Sequence, residues 1–203
     1  MWNINLLTIL SIGGVLAFVS HYLNKGLKIA IVILGVISSL AYALINIRLG
    51  DTELINTGIF AFSFSITPLS YFFTILILVI FTVAMIASLH EELDGTFYLF
   101  SFLTTVFAIA SVMANDLLTL FATFELMSMA SFFIVLRGYL PDTHEIAFKY
   151  FMYSTFGAIF YLIGVFLKFY YSGNISLTDL SNLAVSQKTL IIVTLALPFI
   201  IKI

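Results

Sequence analysis

Between Glu53 and His90 the chain carries no charged residue, and uncharged apolar runs recur at 4–20, 29–47 and 97–113. A helix needs roughly 20 apolar residues to cross a bilayer core, so runs of this kind decide the fold class before anything else. Only 9% of the residues are charged, against about 25% in a soluble domain. That is too few to coat a water-facing surface, and the mean hydropathy of +1.18 agrees. Eight Lys and Arg stand against ten Asp and Glu, so there is no basic patch and no nucleic-acid partner is expected. With no Cys there is no disulfide framework, no thiolate metal site and no Cys-ligated iron–sulfur cluster. Neither a metal nor a redox cofactor is expected on this chain.

These runs define an all-α, polytopic transmembrane bundle over 1–203, with the lipid bilayer as its solvent. Spans are expected at 4–20, 29–47, 68–89, 97–113, 117–136 and 146–168, which makes six full crossings. The start of a discontinuous seventh follows at 189–203. The run after Glu53 is too long for one helix. Its first part, 57–66, alternates small or polar with apolar residues, a period-two pattern that reads as strand. Residues near 54–65 are therefore expected to form an extended or hairpin-like segment at the membrane surface. Pro68 then opens the third span. Asn115-Asp116 form a tight turn that caps the fifth span. Residues 172–187 are polar with a helical spacing of Leu and suggest a short surface helix. The first twenty residues lack a basic leader and a cleavage site, so they are read as a retained helix and not a signal peptide. Lys25, Lys28, Arg137 and Lys149 on one side, against Arg48, Lys168 and Lys188 on the other, place the N-terminus outside.

Most charges fall at span ends and read as interfacial anchors, Lys168 among them. Two do not. Glu125 lies eight residues into the fifth span, about 12 Å deep, and Lys202 thirteen residues into the seventh, about 20 Å deep. Both spans run the same way, so both residues fall near mid-membrane. Alone, each costs roughly 2.5–3.5 kcal/mol or more there. As a pair in a partly wet cavity they hold each other charged, and a proton moved onto Glu125 releases Lys202. That is the chemistry of a proton relay. A static ion pair joining two helices is the alternative reading. Pro198, four residues before Lys202, is expected to break the seventh helix, a build used at transporter ion sites. Lys149 is either a second relay station or a snorkelling side chain, and His144 is a candidate for proton entry near neutral pH. Gly157 and Gly164 lie on one face of the sixth span and suit close helix packing. Glu91, Glu92 and Asp94 read as a solvated acidic loop. No phosphate loop, paired-His metal motif or nucleophile elbow is present, so no catalytic residue is assigned.

Residues 115–131, from Asn115-Asp116 through Phe124-Glu125 to Ser131, resemble the fifth helix of the antiporter-like subunits found in respiratory complex I, Mrp-type sodium/proton antiporters and energy-converting membrane hydrogenases. The stretch 147–157, continuing to Gly164, resembles that family's sixth helix. Residues 173–180 resemble its surface segment, and 195–202 the start of its broken seventh helix with a buried lysine. The resemblance implies a non-catalytic, proton-pumping or sodium/proton-antiporting subunit in which Glu125 and Lys202 form the relay. On this view 1–94 hold the first three spans and 95–203 begin the first inverted repeat. Thr67-Pro68-Leu69-Ser70 lacks the acidic residue that many members carry there, which leans toward the hydrogenase and Mrp branches. Typical members have about fourteen helices. The resemblance therefore implies other membrane subunits as partners, including a chain that supplies the remaining helices, with a truncated product as the alternative to a split subunit. It also implies a bacterial or archaeal cell membrane, or an organelle inner membrane. A structural membrane-arm subunit that holds a static pair is the competing function.

Overall fold

The computed structural model describes residues 2–22, 25–46, 52–56, 61–89, 91, 93–138, 142–177 and 183–202. They form seven helices and one hairpin in the order α1 (Trp2–His21), α2 (Lys25–Asn46), β1 (Thr52–Asn56), β2 (Ala61–Ser65), α3 (Pro68–Ser88), α4 (Gly95–Met113), α5 (Leu117–Leu136), α6 (Thr143–Ser172) and α7 (Val185–Lys202). Among the described residues five helices are long and apolar enough to cross a membrane: α3, α4, α5, α6 and Gly26–Asn46 of α2. Asn5–Ser20 and Val185–Ile201 are shorter apolar helices. The molecule is an integral membrane protein built on an α-helical bundle. The count of six full spans and a seventh is finer than these five crossings.

Helix ends follow local chemistry. Thr67 caps α3: its hydroxyl accepts the Ser70 N–H, the Ser70 side chain accepts the Thr67 N–H, and Pro68 opens the first turn. Asp116 caps α5, its carboxylate accepting from the Thr119 N–H at 2.8 Å. Gly173, at φ 71°, closes α6, and its N–H donates to the Phe169 carbonyl at 2.8 Å. Only a residue tolerant of the left-handed region sits there without strain. Of the surface helix expected over 172–187, the described residues bear on only part. Residues 173–177 are non-helical, because Ser176 pairs with Asp116 as a β-bridge, while 178–182 lie outside the described residues. The next helix begins at Val185, one turn before the expected start at Thr189.

The described part of the extended segment expected near 54–65 is strand, while 57–60 lie outside the described residues. β1 and β2 pair antiparallel in the register Thr52↔Ser65 to Asn56↔Ala61. The pair does not stand alone. Phe64 bridges Ala114, the Asn115 N–H donates to the Ser63 carbonyl at 2.9 Å, and the Leu117 N–H donates to the Ile175 carbonyl at 3.0 Å. Strand β2, the α4–α5 turn and the segment after α6 thus close one end of the bundle, called the hairpin face below.

Packing divides the helices into two groups joined through α4 and α5. In the first, Phe102 of α4 is fully buried, edge-on to Phe81 of α3 at 4.9 Å between ring centres. It seats in a notch made by Gly13 and Gly14 of α1 and Gly35 of α2. A methyl group on Gly14 would lie 2.8 Å from the Phe102 Cβ, so this approach requires glycine. At the opposite face Lys28 is only 5% exposed. Its Nζ donates to the Leu93 carbonyl at 3.2 Å and lies 4.9 Å from the centre of the Tyr98 ring. Lys28 is therefore a buried brace and not the loop anchor its position suggested. Arg137 pairs with Asp94 across that face, half exposed on both sides, so the pair contributes little.

The notch yields a first prediction. Gly14→Val overpacks the site against Phe102 and should destabilise the fold by about 1–3 kcal/mol. A lowered midpoint of thermal unfolding in detergent is the expected readout, and an unchanged midpoint would show that the notch has slack.

Candidate ion-relay site between α5, α6 and α7

The second packing group contains the residues that the sequence marked. It starts at Asp116. Besides capping α5, its carboxylate accepts hydrogen bonds from the Thr119 hydroxyl at 2.6 Å and from the Ser63 hydroxyl of β2. The Ser63 N–H in turn donates to the Thr119 hydroxyl at 3.1 Å. One carboxylate therefore ties the start of α5 to the hairpin and fixes how far each α5 residue lies from the hairpin face.

From that anchor α5 presents an aromatic side to its neighbours. Phe121 stacks on Tyr161 of α6 at 5.7 Å, and Phe124 meets Phe199 of α7 at 5.0 Å. Tyr161 also lies edge-on to Phe199 at 6.3 Å. Such pairs are worth about 0.5–1.5 kcal/mol each beyond simple burial. Glu125 follows Phe124 directly and is partly buried. One turn further on, the Ser128 hydroxyl returns to the Phe124 carbonyl at 3.0 Å. The usual membrane solution for a buried hydroxyl therefore holds beside Glu125.

α6 and α7 meet along glycines. A Cβ on Gly157 would come 3.2 Å from the Pro198 Cα, and one on Gly164 would come 2.8 Å from Leu195. Pro198 is buried in this seat, and α7 remains helical beyond it to Lys202. The helix break expected at Pro198 is therefore not seen among the described residues. Proline takes away only the bond to the Thr194 carbonyl, and the flat glycine surface of α6 accepts its ring. Lys202 is the last residue of α7, one turn past Pro198. Its side chain, and with it a direct Glu125–Lys202 contact, lies outside the described residues.

The remaining marked residues sit elsewhere. Lys149 is exposed at the start of α6 and pairs with Glu145 one turn earlier, and His144 is exposed beside them. None of the three joins the aromatic junction.

Two residues were missed. Lys168, read as a snorkelling anchor, is 1% exposed, and Tyr161 is 2% exposed. Both follow from helical spacing: Gly157, Tyr161, Gly164 and Lys168 fall on one stripe of α6, the stripe that packs on α7. A lysine on a glycine face points into a helix interface, and that was the available signal. The hydroxyls of Ser154 and Tyr161 on this stripe are buried without a hydrogen-bond partner among the described residues.

Comparison with known proteins locates this geometry. The fold matches a chain of the archaeal membrane-bound sulfane sulfur reductase, with TM-score 0.83 and 22% identity over 97% of this chain and 33% of that one. It matches the Mrp complex from Dietzia sp. DQ12-45-1b with TM-score 0.86 and 17% identity, over 99% of this chain and 24% of the other. Respiratory complex I from Thermus thermophilus gives TM-score 0.75 and 19% identity over 95% and 42%. The bundle thus shares its fold with chains of these three membrane complexes. In sequence, residues 114–203 match the family model described as NADH:quinone oxidoreductase/Mrp antiporter, TM. NADH-quinone oxidoreductase subunit N 3 of Streptomyces griseus is 38% identical over 71 residues, covering 34% of this chain and 13% of the relative. Subunit N of Rhodococcus opacus is 31% identical over 84 residues, covering 38% and 16%. The matched segments thus span less than a fifth of either relative. Residues 114–203, a little under half of the chain, thus resemble that family in sequence, and the fold resembles chains of these three membrane complexes.

Two predictions test the geometry. The chain has no Cys, so introduced cysteines report cleanly. Phe124→Cys with Phe199→Cys should cross-link through a short bifunctional reagent, whereas Phe124→Cys with the outward-facing Ile192→Cys should not. Equal yields from both pairs would contradict the α5–α7 register. Asp116→Ala removes the cap and should cost about 1 kcal/mol of stability, read as a lower unfolding midpoint.

Proposed function

We propose that this chain forms part of a proton-pumping or sodium/proton-antiporting membrane subunit, with Glu125 as the central proton acceptor and Lys202 as its partner. Further membrane segments and subunits complete the ion path, and any redox chemistry resides in those partners. α1 serves as a sixth crossing beside the five apolar spans.

The observation that supports the relay is the contact of Phe124 with Phe199. It holds α7 against α5 at the level of Glu125, within one helical turn of Lys202. An acid and a base brought to one depth in a low-dielectric junction stabilise each other's charge. Loading a proton on Glu125 removes that stabilisation and frees the lysine for the next station. Lys149 and His144, exposed at the opposite end of α6, are the candidate entry groups for protons. Their separation from the junction makes them a port and not part of the central pair.

Glu125→Gln keeps shape and hydrogen bonding but cannot carry charge. In membrane vesicles containing the assembled complex, ion flux should fall roughly tenfold or more, a barrier change of about 1.4 kcal/mol or greater, while the assembly survives. Unchanged flux would sink the relay and leave a static pair that only joins two helices.

A further inference from the structure

We infer that Tyr161 and Lys168 of α6 form, with Asp116, a hydrated proton path from Glu125 to the hairpin face. The inference deepens the proposed function and rests on Glu125 being the proton acceptor.

The Tyr161 hydroxyl is the starting point. It is buried, and it has no hydrogen-bond partner among the described residues. Leaving a buried hydroxyl unmatched is costly, so such groups usually hold a water. Tyr161 also sits at the right height. Its ring stacks on Phe121, which follows Asp116 by five residues and precedes Glu125 by four, about 7.5 Å and 6 Å along α5. Either gap is one that a phenol hydroxyl and one or two waters can span.

The hairpin end of this line carries two ionisable groups. Asp116 is held by Ser63 and Thr119 at the start of α5. Lys168 is buried on the Tyr161 stripe of α6, seven residues nearer that face. Intramembrane ionisable groups on an interior helix face mark ion paths by default. Lys168 sits two turns from Tyr161 on the same face of α6. Along this path the Tyr161 hydroxyl accepts a proton on its oxygen as it gives up its own, so it passes charge without changing its net protonation. Glu125 and Asp116 are the terminal donor and acceptor, and Lys168 exchanges protons beside the mouth.

Two measurements test the path. First, Tyr161→Phe keeps the stacking on Phe121 and loses only the hydroxyl. In vesicles containing the assembled complex it should lower flux several-fold, with assembly intact. Second, the Tyr161→Cys protein should react with a small membrane-impermeant thiosulfonate applied from the hairpin face and not from the opposite face. Leu162→Cys, on the lipid-facing side of the same turn, should stay unlabelled from both. Full flux in Tyr161→Phe, or a Tyr161→Cys thiol that is silent from the hairpin face, overturns the path. The outcome separates the two readings: if Glu125→Gln stops flux while Tyr161→Phe does not, the relay stands and only this branch is lost. If Glu125→Gln leaves flux unchanged, the relay itself fails, and the path has nothing to serve.

Discussion

The depth of every residue in the candidate site is set by the Asp116 carboxylate. It accepts from the backbone and hydroxyl of Thr119 and from the hydroxyl of Ser63, so one charged group satisfies the first turn of α5 and fastens it to the hairpin. Helix N-termini leave unsatisfied N–H groups, and at a membrane boundary such groups need a partner that does not depend on bulk water. The bridges from Phe64 to Ala114 and from Asp116 to Ser176 extend the same solution across the face. With the start of α5 fixed, Phe121, Phe124 and Glu125 arrive at set heights, and α6 and α7 pack to match.

The second constraint is how closely α6 and α7 approach. Gly157 accepts Pro198, and Gly164 accepts Leu195. Lipid tails are as apolar as leucine, so helices in a membrane associate through tight packing and polar contacts. The glycine stripe provides the packing. It also brings Ser154, Tyr161 and Lys168 into the interface, because they share that stripe. The small residues that draw the helices together therefore also gather polar groups at a depth where they are costly, and function is the usual reason such groups persist.

Much of this was legible along the chain. The hairpin followed from period-two alternation, the start of α3 from Pro68, and the fifth helix from Asn115-Asp116 and the apolar run after it. Glu125 stood out because a charge inside an apolar run needs a reason. Lys28 and Lys168 did not stand out, since a lysine near a helix end usually snorkels. Lys28 is buried by the Leu93 carbonyl and the Tyr98 ring, which come from a segment far along the chain. Lys168 is buried by the face of α6 it happens to occupy. Pro198 was read as a break because proline disrupts an isolated helix, yet its seat on Gly157 lets α7 continue.

The sequence by itself determined the solvent, the helical class and the position of the hairpin, because these depend on apolar run length, charge spacing and local periodicity. It also singled out Glu125 and Lys202, since depth along a span is a matter of counting residues. Only the tertiary structure decided which groups share a junction. The aromatic contacts among Phe121, Phe124, Tyr161 and Phe199 join three helices, and no local pattern encodes which rings meet. It likewise moved Lys168 into the interior and left Lys149 paired with Glu145 at the surface. The physical reason is that burial of a long side chain depends on what packs over its face of the helix, and those atoms come from distant parts of the chain.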